Sequence, residues 1–162
     1  MEAITEILQF LDLNARIELK SVALDNILGL TASPDGLELL GKVAPMFLLL
    51  ADISQNDKSE ALRKDASLAL INLSADKNTA AKMSSMPDAK ILVSKLWTSI
   101  QNEVYPSADP ASMVLSNLTI DKVNCDKIFD ALKENQVSML NIVDRLCQKP
   151  RPLGKTDFSN DQ

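Results

Sequence analysis

Apolar residues recur along the chain at three- and four-residue steps, the spacing that lines one side of an α-helix. The clearest case is 89–100, where Ala89, Leu92, Val93, Leu96 and Ile100 form a single stripe. Segments 3–11, 125–132 and 137–147 are expected to be helical as well, and "LELLGKVAPMFLLLADI" over 37–53 is apolar almost throughout. Pro45 divides that last segment, because a proline inside a helix lacks the N–H and clashes with the preceding turn. A short helix at 35–41 and a longer one after it are therefore expected. Ser33 with Pro34, and Asp109 with Pro110, have the form of cap and first-turn pairs. The expected fold class is all-α.

Three stretches repeat one phrase: "SVALDNILGLT" at 21–31, "KDASLALINLS" at 64–74 and "ADPASMVLSNLT" at 108–119. Alignment places Ala23, Ala66 and Ala111 in one column, Ile27, Leu70 and Leu115 in a second, Leu30, Leu73 and Leu118 in a third, and Thr31, Ser74 and Thr119 in a fourth. The repeat falls near 44 residues, within the roughly 40–47 of armadillo and HEAT repeats, whose units cannot bury their apolar faces alone and do so by stacking. A short helix followed by two long ones matches the three-helix armadillo unit, so the expectation is an armadillo-like right-handed α-solenoid. On that pattern the chain opens on a second helix, runs through two whole units and stops after another second helix. Residues 1–149 form the expected solenoid, and 150–162, "PRPLGKTDFSNDQ", with two prolines and no periodicity, a flexible C-terminal tail.

The phrase carries a polar Asn inside an apolar run. With Ala66 as reference on a helical wheel, Ala69, Leu70 and Leu73 cluster within about 60°, while Leu68 and Asn72 point elsewhere. Asn117 occupies the Asn72 position in the third phrase and Gly29 in the first. One reading makes the Asn side a partner-binding groove in which each amide donates to and accepts from an extended backbone, with Lys64 and Asp109, eight residues upstream of each Asn, as further candidates. The other has each Asn bonding neighbouring carbonyls or bridging to the adjacent unit to hold the register. "NLS" and "NLT" also satisfy the glycosylation pattern, which no secretory signal accompanies.

Composition narrows the function. Of 162 residues 46% are hydrophobic and only 4% aromatic, enough for one soluble core filled by aliphatic side chains. Net charge is -5 with the basic residues scattered, which argues against nucleic acid and against an acidic membrane surface. The acidic start "MEAITEILQFLD" lacks the bases of a signal peptide, so the expected location is cytoplasmic. The apolar run 43–53 falls far short of the roughly 20 residues that span a bilayer. The chain has no His, which removes the commonest general base and most transition-metal sites, and no Gly-rich phosphate loop. Cys125 and Cys147 share no metal-ligand spacing and are expected as reduced thiols. Neither catalysis, metal, cofactor nor small-molecule substrate is expected. Trp97 fits core filling, and Tyr105, in "QNEVYPSADP", fits an exposed loop. Met83, Met86, Met113 and Met139 fit gap filling better than an adaptable surface.

The phrases "ADPASMVLSNLT" and "DASLALINLS", with "ILQFLDLNARIELKSVALDNILGLT" before them, resemble the HGH-one homologue family of eukaryotic armadillo-like proteins over about residues 7–122. Family members are longer, so the resemblance implies an N-terminal portion or a short isoform. It also implies a cytosolic cochaperone that binds newly made eukaryotic elongation factor two and recruits it to the chaperonin TRiC, without catalysis. The Trp that peptide-binding importins place four residues before the groove Asn is Leu68 and Met113 here, a departure from nuclear-signal binding. A generic armadillo peptide-binding scaffold in transport or signalling stands as the alternative.

Overall fold

The computed structural model describes residues 2–101 and 108–134, and side chains within 6–101 and 108–133. All regular structure among them is helical, as expected: α1 (Glu2–Phe10), α2 (Ile17–Thr31), α3 (Pro34–Leu40), α4 (Pro45–Asn56), α5 (Glu60–Ala75), α6 (Lys77–Ser85), α7 (Ala89–Gln101), α8 (Ala108–Leu118) and α9 (Lys122–Glu134). The expected helix at 137–147, the domain end at 149 and the tail at 150–162 lie outside the described residues, as do Tyr105, Met139 and Cys147.

Local chemistry sets the helix ends. Ser33 Oγ accepts from the Gly36 N–H at 3.1 Å and Pro34 occupies the first turn of α3, where its missing N–H would have had no partner anyway. Pro45 opens α4 in the same way. Between α2 and α3 the chain turns so tightly that a Cβ on Gly36 would sit 2.1 Å from the Leu30 carbonyl oxygen, so that position needs glycine.

Helix α6 was not among the expected segments. Its buried residues are Thr79, Ala80, Met83 and Ser84, of which only Ala80 and Met83 are apolar, too few to make a stripe. Asp76, whose carboxylate accepts from the Thr79 N–H at 2.8 Å, was its sequence signal. Its polar side chains serve as contacts: Thr79 Oγ1 donates to the Leu37 carbonyl of α3 at 3.5 Å, and Lys127 of α9 donates to Ser85 Oγ at 2.6 Å.

Helices one repeat apart pack on one another. α2 lies against α5 and α5 against α8, α4 lies against α7 with α1 beside it, and α6 lies between α3 and α9. α4 also runs along α5, and α7 along α8, so the layers share one core. Ile27, Phe47, Leu50, Ala66, Leu70, Leu73, Leu92, Leu96, Leu115 and Leu118 all lie within it. Trp97 is buried as expected, together with Met83 and Met86, whereas Met113 is exposed.

One ionic contact in this interior had no sequence signal. Lys20 of α2 and Asp57, which follows α4, retain only 5% and 6% exposure and form an ion pair. Lys20 Nζ also donates to the Leu13 carbonyl at 3.0 Å, the second Asp57 oxygen accepts from the Ser59 N–H at 2.9 Å, and the Asp57 carbonyl accepts from Arg63 Nη1 at 2.6 Å. The α4–α5 corner is thereby tied to α2. Removing one member of such a pair leaves a buried charge alone, at a cost of about 3–5 kcal/mol. Burial by itself pushes the Asp57 carboxyl up, but the hydrogen bonds from Lys20 and the Ser59 N–H, with the charges of Lys20 and Arg63, hold it below the ordinary carboxylate value.

A carboxyl whose folded pKa is lowered binds protons more readily in the unfolded chain, so its contribution is complete above the unfolded value near 3.8 and is lost as pH falls through the folded value. Urea midpoints should therefore drop below about pH 4, and Asp57→Asn should flatten that acid limb while lowering stability at pH 7. An unchanged acid limb would show that Asp57 does not carry it. Leu70, only 2% exposed, gives a second test: Leu70→Asp should cost more than about 4 kcal/mol by placing an unpaired charge in the core, read as loss of the far-UV helical signal at 25 °C.

Candidate partner-binding face

The three phrases form α2, α5 and α8, which pack side by side. On α5, Ala66, Ala69, Leu70 and Leu73 turn into the core at 2% exposure or less. Asn72 lies at the margin of this stripe, half-buried against α2, and Asn117 takes the same place on α8 against α5.

Both amides reach back one repeat. Asn72 Nδ2 donates to Thr31 Oγ1 at 3.0 Å, and that hydroxyl donates in turn to the Leu28 carbonyl at 2.8 Å. Asn117 Nδ2 donates to Ser74 Oγ at 3.0 Å, and Ser74 Oγ donates to the Ile71 carbonyl at 2.9 Å. Asn117 Nδ2 also reaches the Ile71 carbonyl at 3.5 Å. The rungs are alike: an Asn on one helix bonds the hydroxyl that ends the previous phrase. A hydroxyl that donates to its own helix keeps its lone pairs for a neighbour. This accounts for the Asn two residues before the Ser or Thr, because one phrase both reaches back and offers an acceptor forward. Gly29 fills the column on α2, and nothing lies within 4 Å of where its Cβ would be.

The other two candidates point outward. Lys64 is exposed and pairs with Glu60 one turn earlier at 2.9 Å, a hydrogen bond that holds the Glu60 carboxyl below its ordinary value. Asp109 is exposed in the first turn of α8, where its carbonyl accepts from Ser112 Oγ at 2.7 Å. Lys64 and Asp109 are thus solvent-facing members of the layer whose Asn side chains are half-buried.

The residues that dominate the outer face were not among the candidates. Leu68 is 48% exposed and Met113, in the same column of the next phrase, 51%. Val22 on α2 is 59% exposed. Their signal was the helical wheel itself, which turns Leu68 away from the core stripe. Asp25 shares their column on α2, and Asp65 lies half-buried one turn before Leu68. Burial, and then the charge of Asp25, raise the Asp65 carboxyl above its ordinary value. The face thus offers exposed aliphatic side chains flanked by carboxylates. Among the described residues no group of three or more His, Cys, Asp or Glu could hold a metal, and no helix is long and apolar enough to cross a membrane.

The chain is similar to curated proteins named Protein HGH1 homolog. That of Drosophila pseudoobscura pseudoobscura is 35% identical over 152 residues, covering 91% of this chain and 41% of its own length. The Danio rerio protein is 35% identical over 142 residues, covering 88% and 37%, and the Homo sapiens protein 27% over 129 residues, covering 80% and 32%. The chain therefore spans about two fifths of the fly relative's length. No family model matches the chain, and no solved structure does.

Replacing Asn72 and Asn117 together by Ala should remove both rungs and lower stability by about 1–3 kcal/mol, at about 0.5–1.5 kcal/mol per hydrogen bond. Urea unfolding should show a lower midpoint with the slope unchanged. A double variant as stable as the parent would show that the rungs add nothing to the stacking.

Proposed function

We propose, for a chain that belongs to the family of HGH1 homologues, that it is a non-catalytic protein-binding adaptor built as an armadillo-like right-handed α-solenoid of three-helix units. The observation that carries this reading is the stacking of α2, α5 and α8 through rungs one repeat apart. A stack of that kind leaves an extended outer surface, the feature solenoids use to hold other proteins. Following the resemblance, its partners are newly made eukaryotic elongation factor two and the cytosolic chaperonin TRiC. Its place is the cytoplasm, and it takes no nucleic acid, membrane or small-molecule substrate.

The outer face supports recognition of a folded or partly folded domain. Exposed Leu68, Met113 and Val22 supply apolar contact area, whereas the amide nitrogens of Asn72 and Asn117, which a scaffold for extended peptides would use, already serve Thr31 and Ser74. The peptide-scaffold alternative therefore has less to work with here.

Replacing Leu68 and Met113 by Glu tests the reading, because both are exposed and substitutions at such positions change stability by no more than about 0.5 kcal/mol. Capture of newly synthesised elongation factor two and of TRiC from translating cytosol should fall at least about tenfold at unchanged melting temperature, about 1.4 kcal/mol of binding. Undiminished capture would move the contact off this face. Failure of the parent chain to capture either protein, alongside affinity for isolated extended peptides, would favour the scaffold.

A further inference from the structure

The α4–α7 layer carries a second feature that the adaptor reading leaves unused. Between these helices runs a groove of about 500 Å³, open on one side and lined by Gln55, Lys90, Ile91, Ser94, Lys95 and Thr98. We propose that this groove docks an acidic segment of a partner protein, seating one of its carboxylate side chains between Lys90, Lys95 and the Gln55 amide.

Three observations point to this occupant. First, Gln55 Nε2 is out of reach of water and has no hydrogen-bond partner. An amide donor left in that state carries a desolvation penalty that an acceptor in the groove would relieve. The terminal torsion of glutamine is soft, so its N–H can turn toward an acceptor at little cost. Secondly, the described residues of the lining include two lysines and no carboxylate, in a chain whose net charge is -5. Asp52, which Lys95 engages from α7, is not part of the lining. The Lys95 side chain is 31% exposed, and an ammonium has three donors, so Lys95 can hold Asp52 and still donate to a ligand. Thirdly, Lys90, Ser94 and Thr98 recur at four-residue steps along α7 and span about 12 Å at 1.5 Å per residue. Ile91, 49% exposed, adds an apolar shelf beside them. A groove of that length, open to solvent, suits a short stretch of chain; a small metabolite is normally held in a cavity that encloses most of its surface.

The groove lies on a different layer from the α2–α5–α8 face, so each assignment can fail without the other. The test is titration of the full chain, labelled with ¹⁵N, with an acetylated and amidated peptide of sequence Glu-Glu-Leu-Glu-Glu. Its Gln counterpart and free glutarate serve as the other arms. The acidic peptide should move the amide signals of residues 52–55 and 90–98, bind at least about tenfold more tightly than the Gln peptide, and weaken as salt is raised. Lys90→Gln and Gln55→Leu should each weaken it at least about threefold without lowering the melting temperature. Equal binding of the two peptides, no binding, or shifts confined to other helices would overturn the proposal. Glutarate matching the acidic peptide would also overturn it, since the groove would then be a site for a small carboxylate.

Discussion

No helix of this chain can cover its own apolar stripe, and the architecture follows from that constraint. Ala66, Ala69, Leu70 and Leu73 of α5 are buried in a helix that packs against α2, α4, α6 and α8. Helices of 7–16 residues are marginal alone in water, so they form in company with their neighbours. Packing at intervals of one repeat is the same solution applied three times, with α2, α5 and α8 in one layer, α1, α4 and α7 in a second, and α3, α6 and α9 in a third.

Aliphatic stripes alone would leave the stack free to slide, since Leu against Leu tolerates many offsets. The polar contacts inside it are specific about offset. Each Asn rung joins one hydroxyl on one neighbouring helix, and a slip of one turn, about 5.4 Å, breaks it. The buried Lys20–Asp57 pair does the same between α2 and the α4–α5 corner. Its net contribution against an apolar replacement is small or negative, because both charges are desolvated; its effect is to make other placements of that corner costly.

Once the Asn amides are committed inward, the outer face of α2, α5 and α8 is left to residues with no role in stacking. Leu68 and Met113 stand in one column, with Asp25 continuing it on α2. The α4–α7 layer presents the opposite chemistry, lysines and an unpartnered amide donor. The two layers therefore differ in chemistry, one with exposed aliphatic side chains beside carboxylates, the other with lysines lining a groove.

The amino-acid sequence by itself determined the helical class, the repeat near 44 residues, the break at Pro45 and the buried stripe, because each is written in local spacing that any helix must obey. It also showed that Leu68 and Asn72 leave that stripe. It missed α6, whose buried residues Thr79, Ala80, Met83 and Ser84 carry no hydrophobic period. Whether an Asn reaches a neighbouring helix is not written in its own sequence, and only the tertiary structure places Thr31 beside Asn72 and Ser74 beside Asn117. The Lys20–Asp57 pair joins residues 37 apart in the chain. Lone charged residues on an amphipathic pattern look solvated until another unit covers them, and that covering belongs to the tertiary structure.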